Sequence, residues 1–375
     1  MVDLAVKTLL HDKPRFAITV AGVAFAVALV LIQVGLFLGL LENASITIDK
    51  LNADIWVTSR NTPNVDFAQP FPDTSIHRVR AVTGVTQADN LIVWYMPLLL
   101  KNGARESVLV YALANADRWG FPWNIAARDG FSRRSTGYVL MDESSSRRFG
   151  AIRVGESWEI LGRRFSVSGL TREARSFTTT PIAFMAYRDA QSLDPQYLSG
   201  QTTYIIARIS NRADAQAVKD EIARRLPFND VYRSDEWSAR SRAYWIESTG
   251  IGLSMTLTIL LGCLVGVTVV AQTLYAATME HSQEYGTVKA IGGHNADIYR
   301  LIAKQAIVSA ILGYGTGVCV TFAVMSVVSW LDLQMVLSAT IFIAVFLGAV
   351  SLCLGAALFS FRQVSRLDPA IVFRR

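Results

Sequence analysis

The stretch FAITVAGVAFAVALVLIQVGLFLGLL, Phe16 to Leu41, runs for 26 residues without a charge between Arg15 and Glu42. A helix needs about 20 apolar residues to cross roughly 30 Å of hydrocarbon, so this segment is long enough to span a bilayer. Lys7, Lys13 and Arg15 precede it, in the manner of a secretory signal. Such a signal has an apolar region of about 7 to 15 residues closed by a small-residue cleavage site, and this run is too long for that. It reads as a retained anchor.

Three more runs meet the same length requirement: one inside Ser248 to Met279, one from Gln305 to Leu331, and one from Leu333 to Phe361. Only Asp332 separates the last two, which predicts an antiparallel helical hairpin. Between the first and second runs, residues 42–247 have the composition of a soluble domain. That division accounts for 51% hydrophobic residues and a mean hydropathy of +0.32, both high for a globular chain. The expected fold class is an α-helical membrane protein with four transmembrane helices at 16–41, 250–276, 305–331 and 333–361, plus an α+β extracytoplasmic domain inserted between helices one and two.

Orientation follows from Lys and Arg in short segments beside the spans, because long translocated domains are largely exempt from the positive-inside rule. The lead 1–15 carries Lys7, Lys13 and Arg15, the segment 277–304 carries Lys289, Arg300 and Lys304, and the tail 362–375 carries Arg362, Arg366, Arg374 and Arg375. The hairpin tip carries only Asp332. Both termini and the 277–304 segment are therefore expected in the cytoplasm, and domain 42–247 outside it, in the periplasm of a bacterial inner membrane. Much of the net charge of +6 is this positive-inside charge, so a nucleic-acid partner is not implied. Cys263, Cys319 and Cys353 all lie in apolar runs, which leaves the inserted domain without disulfides and reads as small-residue packing.

Within the inserted domain, strand-like stretches alternate with helical ones. Ala53 to Ser59 and Leu91 to Leu100 (LIVWYMPLLL) are rich in β-formers, and Asp73 to Val82 predicts a helix capped by Asp73 or Thr74. The β-runs Val108–Leu113, Tyr138–Met141, Glu156–Leu161 and Phe165–Leu170 predict a β-rich lobe over about 106–172. A strand at Thr203–Ile209 and a helix at Ala213–Leu226, with Ala217, Ile222 and Leu226 apolar, complete a base at about 42–105 and 173–240. An Arg-rich group that includes Arg147, Arg148, Arg163 and Arg164 marks the lobe.

Several activities are excluded. His77 is the only histidine of the inserted domain, and HExxH, CxxC and GxSxG occur nowhere, so neither catalytic nor metal-ligating residues are assigned. The apolar runs hold no Asp, Glu, Lys or Arg, and their polar side chains are mild, among them Gln33, Gln272 and scattered Ser and Thr. Ion-coupled transport needs ionisable groups at that depth. Close-packing spacings recur at Gly35 and Gly39, at Gly262 and Gly266, and at Gly313, Gly315 and Gly317. They fit intramolecular helix packing and dimerisation equally.

The segment EHSQEYGTVKAIGGHNADIYRLIAK, Glu280 to Lys304, has a different grammar. A helix continues from the second run past Glu284 and Lys289, breaks at Gly292 and Gly293, and restarts with Asn295 as N-cap. Ile298, Leu301 and Ile302 then share one face, with Asp297 early and Arg300 and Lys304 late, as the helix dipole favours. This predicts a short amphipathic helix on the membrane surface, presenting a face to a soluble partner. EYGTVKAIGG resembles the element that follows the second span in MacB/FtsX-type ABC transporter permeases, with Glu284, Gly286, Lys289, Ala290 and Gly292 matching and Gly293 where alanine is commoner. The order of spans matches too, as does the ending Arg366-Leu367-Asp368-Pro369-Ala370; the first half, with Asn52-Ala53-Asp54, is most similar to the DevC-like branch.

That resemblance implies a permease subunit working by mechanotransmission. An ABC ATPase partner would contact Glu284, Gly286, Lys289, Ala290, Gly292, Gly293, Asn295, Ile298, Tyr299, Leu301 and Ile302. The chain has no GxxxxGK[ST] motif, so ATP and Mg would be held by that separate subunit and no cofactor by this one. The resemblance further implies a second permease copy and a MacB-like periplasmic core. It also implies a membrane fusion protein leading to an outer-membrane channel, with Arg147, Arg148, Arg163 and Arg164 as a docking surface. FtsX-like regulation of a cell-wall hydrolase and lipoprotein release are the alternatives within the family.

Overall fold

The computed structural model describes residues 13–128, 136–143, 146–172, 174, 176, 180–210, 212–280, 295–330 and 335–365. Two compact units emerge, one of residues 40–252 and the other of residues 1–39 with 253–375.

Helix α1 (Lys13–Asn43) leads, after a two-residue turn, into α2 (Ile46–Lys50) and strand β1 (Ile55–Ser59) of the inserted domain. A short β2 (Phe71–Pro72), a 3-10 turn at Asp73–Ser75 and α3 (Ile76–Arg80) follow. The expected caps are absent: the Asp73 carboxylate instead accepts from Gln191 Nε2 at 3.0 Å, and its carbonyl accepts from Asn90 Nδ2. Then come β3 (Val85–Leu99), β4 (Arg105–Leu113), β5 (Ile125–Arg128), β6 (Tyr138–Asp142), α4 (Ser146–Phe149), β7 (Ser157–Ile160), β8 (Arg163–Thr171) and β9 (Ile182–Ala186). The domain closes with α5 (Tyr187–Leu193), α6 (Pro195–Leu198), β10 (Gln201–Thr202), β11 (Tyr204–Ile209), α7 (Ala215–Arg225), β12 (Asn229–Arg233) and α8 (Ser234–Ala243).

Base and lobe share one ten-stranded sheet, ordered β12-β1-β11-β3-β4-β9-β6-β8-β5, with β7 joining β3 and β8. The 15-residue β3 makes this possible. Its first half pairs with β11 (Leu91 opposite Tyr204) and its far half with β4 and β7 (Leu98 opposite Glu106 and Ile160). Both faces of this central strand are covered. Leu91 and Val93 join Leu109, Tyr111, Phe184, Trp56 and Trp237 on one side, while Ile92, Met96 and Leu98 join Val108, Val110, Met185 and Trp158 on the other. Side chains alternate across a strand, so a strand buried on two sides must be apolar at every position, which is what LIVWYMPLLL is. Strands β5, β9 and β12 were not foreseen, and β9, outside the expected lobe boundaries, runs parallel to β4 inside the sheet. A third core lies between the sheet and α3 and α7, where Val79 meets Val218, Ile222 and Leu226. Helix α7 therefore turns Val218 inward and leaves the predicted Ala217 exposed, with Asp214 as its cap through Gln216 N–H.

The remaining helices are α9 (Ile251–Glu280), α10 (Asn295–Trp330) and α11 (Ala339–Ser365). With α1 they give four helices long and apolar enough to cross a membrane, over Phe16–Asn43, Ile251–Thr273, Ile302–Val328 and Ala339–Leu358. The fourth starts at Ala339 rather than at 333, because residues 335–338 are non-helical. Tyr314 ties α10 to α11, donating to the Phe342 carbonyl at 3.1 Å and meeting the Phe346 ring edge-on.

Candidate functional site

The proposed coupling segment and the next span form one helix. Asn295 to Trp330 is a single α-helix of 36 residues, about 54 Å long, where the sequence predicted a surface helix followed by a separate span. The chain explains it: from Asn295 to Leu312 there is neither glycine nor proline to interrupt the hydrogen-bond ladder. Glu284, Gly286, Lys289, Ala290, Gly292 and Gly293 lie outside the described residues. Asn295, Ile298 and Leu301 are placed as helix backbone, and Tyr299 is half-buried. Ile302, 1% exposed, is turned fully inward, packed with Val23, Val27, Ala306, Ala310 and Cys353. It therefore anchors the helix and is not free to meet a soluble partner.

The glycines mark where these helices touch. Gly262 faces Leu29 and Gly266 faces Ala26, so a methyl group on either would overlap α1. Gly313 and Gly317 do the same for Val23 and for the Ala24 carbonyl, at 2.5 and 2.8 Å. Gly35 seats Met335 and Leu337, and its carbonyl accepts from Val336 N–H at 3.0 Å; Gly39, one turn on, is also buried. Gly315, by contrast, faces open space.

Both passages from span to inserted domain end in one polar knot. Ser45, in the turn between α1 and α2, donates to Asp49 at 2.8 Å; from α8, Arg242 Nε donates to Ser45 Oγ at 2.8 Å, its guanidinium pairs with Asp49 at 3.2 Å, and Ser238 also donates to Asp49. The knot is fixed to the sheet, since Thr47 donates to the Tyr111 hydroxyl at 2.8 Å and Trp237 stacks on Tyr232 with centroids 5.0 Å apart. Complete burial, then the nearby Asp66 charge, push the Tyr111 phenol well above its usual range, so it stays protonated. Beyond α8 the chain makes a π-helical turn at Tyr244–Ser248 and passes Gly250 at φ +73° before α9 begins. Only glycine adopts that backbone without a penalty, about 1–2 kcal/mol for other residues. No sequence spacing announced the knot, because Asp49 and Arg242 are 193 positions apart. The aromatic Trp237, Tyr244 and Trp245 beside the second run were its one visible sign.

The lobe arginines are only partly gathered. Arg163 and Arg164 open β8 and are exposed, with Arg163 donating to Ser192 Oγ; Arg147 and Arg148 are on α4, their side chains outside the described residues. The buried carboxylates of the domain have structural partners. Asp89, 1% exposed, accepts from Trp119 Nε1 at 2.8 Å, from Asn115 and from Arg80 at 3.2 Å. Asp142 accepts from Ala174 N–H and Thr171 Oγ1. Among the described residues no group of His, Cys, Asp and Glu could hold a metal ion.

Four apolar helices with a large α+β domain inserted after the first define a multi-pass membrane protein built around one soluble insert. Residues 16–225 match the MacB-like periplasmic core domain and residues 256–369 the FtsX-like permease C-terminal domain. The chain belongs to the MacB/FtsX-type ABC transporter permease family. Over its full length it is 22% identical to an ABC transporter permease of Mycobacterium bovis, covering 99% of that protein. It is 23% identical, over 97% of its length, to the macrolide export ATP-binding/permease protein MacB of Psychrobacter cryohalolentis, of which it spans 57%. The periplasmic region of MacB from Actinobacillus actinomycetemcomitans aligns with 49% of the chain and 90% of its own length, at 12% identity and a TM-score of 0.37.

Proposed function

We propose that this permease transmits the conformational change of a separate ABC ATPase to its inserted domain, driving export of an amphiphilic or hydrophobic substrate by mechanotransmission. The observation that carries the reading is the continuity of α10 from Asn295 through the span to Trp330. A rigid helix passes on displacement at its N-terminal end with little loss, whereas a loop would absorb it. Glycine contacts within the chain bind α10 to α1, so a push on one displaces the other.

In this reading the chain lies in the inner membrane with termini and residues 277–304 in the cytoplasm, as the positive-inside pattern supports. Two copies pair with two ATPase subunits, which hold ATP and Mg. The inserted domains engage a periplasmic membrane fusion protein leading to an outer-membrane channel, and Arg163 and Arg164 offer an exposed basic surface for it. Substituting Gly292 or Ile298 should abolish stimulation of the ATPase by the permease and stop export while leaving permease assembly intact. Co-purification in mild detergent measures assembly, and ATP turnover in reconstituted vesicles measures coupling. Unchanged stimulation and export in both variants would reject the assignment.

A further inference from the structure

Among the described residues of the inserted domain, Phe67 is an exposed phenyl in an aromatic group. It is 41% exposed, yet its ring lies 5.9 Å from Trp245, 6.1 Å from Tyr244 and 6.2 Å from Tyr95. Tyr244 and Trp245 in turn pack with Leu40, Ala44 and Ile251. Leu40 lies at the end of the first apolar span and Ile251 at the start of the second. One layer of rings therefore separates Phe67 from Leu40 and Ile251, at the ends of the two apolar spans. Ile246, beside Trp245 in the π-helical turn, is exposed too, at 37%.

A single exposed apolar side chain needs no explanation. Here the surrounding loop is built to hold it outward. Asn64 Oδ1 accepts from the backbone N–H of both Asp66 and Phe67 at 2.9 Å. Tyr204 donates its hydroxyl to the Asn64 and Val65 carbonyls, and Val65 N–H donates to Ser241 Oγ at 3.2 Å. Val65 and Asp66 are thereby turned inward, and Phe67 alone projects.

We propose that Phe67 and Ile246 form a foot on which the inserted domain rests in the leaflet it faces, at the boundary between headgroups and acyl chains. Aromatic and apolar side chains favour that zone, where rings sit at headgroup level. Lipid is the occupant because the patch is continuous with the span ends through Leu40 and Ile251, which lipid must reach.

Site-directed spin labelling of the full chain in lipid nanodiscs tests this, with Cys263, Cys319 and Cys353 replaced by alanine. Labels go singly at Phe67→Cys, at Ile246→Cys and, as a reference, at the exposed Gln216→Cys. Gln216 opens α7, whose Lys219 binds Glu236 in the first turn of α8, and that turn lies about 14 Å along the helix from Trp245. At positions 67 and 246 the label should collide more with oxygen than with a water-soluble nickel chelate, and at 216 the order should reverse. The proposal is overturned if 67 and 246 behave like 216. It is equally overturned if both collision partners are excluded, which would mean that protein, such as a second copy, covers the patch. Agreement between the two labels guards against one variant that misfolds.

Discussion

Gly317 and Gly315 stand two residues apart on α10, and replacing each by alanine should change stability in opposite directions. At 317 the new methyl would lie 2.8 Å from the Ala24 carbonyl oxygen, 2.8 Å from Val27 Cγ1 and 2.9 Å from Val27 Cβ. Carbon atoms rest about 3.5–4.0 Å apart, and carbon–oxygen contacts fall near 3.3–3.6 Å. Helices α10 and α1 must therefore separate by roughly 0.5–1 Å, and a gap of that size forfeits about a quarter to a half of each dispersion contact it opens. Overpacking of this kind costs about 1–3 kcal/mol. At 315 the methyl meets nothing within 4 Å, so only the helix-propensity gain of about 0.5–1 kcal/mol remains. That gain is common to both variants, so their difference isolates the packing cost of about 1–3 kcal/mol. Reversible unfolding of the full chain in mixed micelles by titration with a denaturing detergent measures it. Equal midpoints for the two variants, or greater stability for Gly317→Ala, would refute the packing of α10 on α1.

Replacing Asp89 by alanine strands the Trp119 and Asn115 donors, while the half-exposed Arg80 keeps the Ala88 carbonyl, and should cost about 1–3 kcal/mol in thermal or urea unfolding of the detergent-solubilised chain. Gly250→Val at φ +73° should cost at least about 1–2 kcal/mol by the same measurement, and Gly250→Asn markedly less, since asparagine tolerates the left-handed region. Glu236 accepts from Lys219 Nζ at 2.7 Å and from Arg233 N–H at 3.0 Å. Burial raises its pKa, but these partners outweigh burial and hold the carboxyl below its ordinary range. Its folded pKa is thus lower than its unfolded value of about 4.3, so its contribution is fully present above that value and is lost as pH falls through the folded one. The stability gap between the protein and Glu236→Gln should accordingly close on acidification below about pH 4, and a gap constant from neutral to acidic pH would contradict the pairing.

The spans were legible because hydrocarbon thickness leaves little freedom: a charge-free run such as Phe16–Leu41 has few other uses. The central sheet was half legible. LIVWYMPLLL declared a strand but could not show that β3 begins at Val85, since Thr86, Gln87 and Asp89 break the apolar pattern. Those residues sit where one strand carries a polar network, with Asp89 held by Trp119 and Arg80. Strand β9 (IAFMA) is short and apolar, a pattern that periodicity alone cannot assign. The glycine spacings located contact surfaces but named no partner; Leu29, Ala26, Val23 and Ala24 do so only in three dimensions.

The proposed transmission makes a testable demand on the connections between helices and inserted domain. Helix α10 is uninterrupted from Asn295 to Trp330. The chain between α8 and α9 is instead a π-helical turn closed by a left-handed glycine, and that between α1 and α2 is a two-residue turn. A purely rigid connection there would need neither Gly250 nor a break after Asn43. The Ser45–Asp49–Ser238–Arg242 knot ties the turn after α1 to α8, and we read it as a register for the two passages. Exposed ion pairs are individually worth only about 0–1 kcal/mol, so this knot sets geometry more than stability. Arg242→Ala should therefore leave unfolding within about 1 kcal/mol of the parent chain while reducing permease-dependent stimulation of the partner ATPase. A large loss of stability, or full coupling with the knot removed, would show that it does not act as a register.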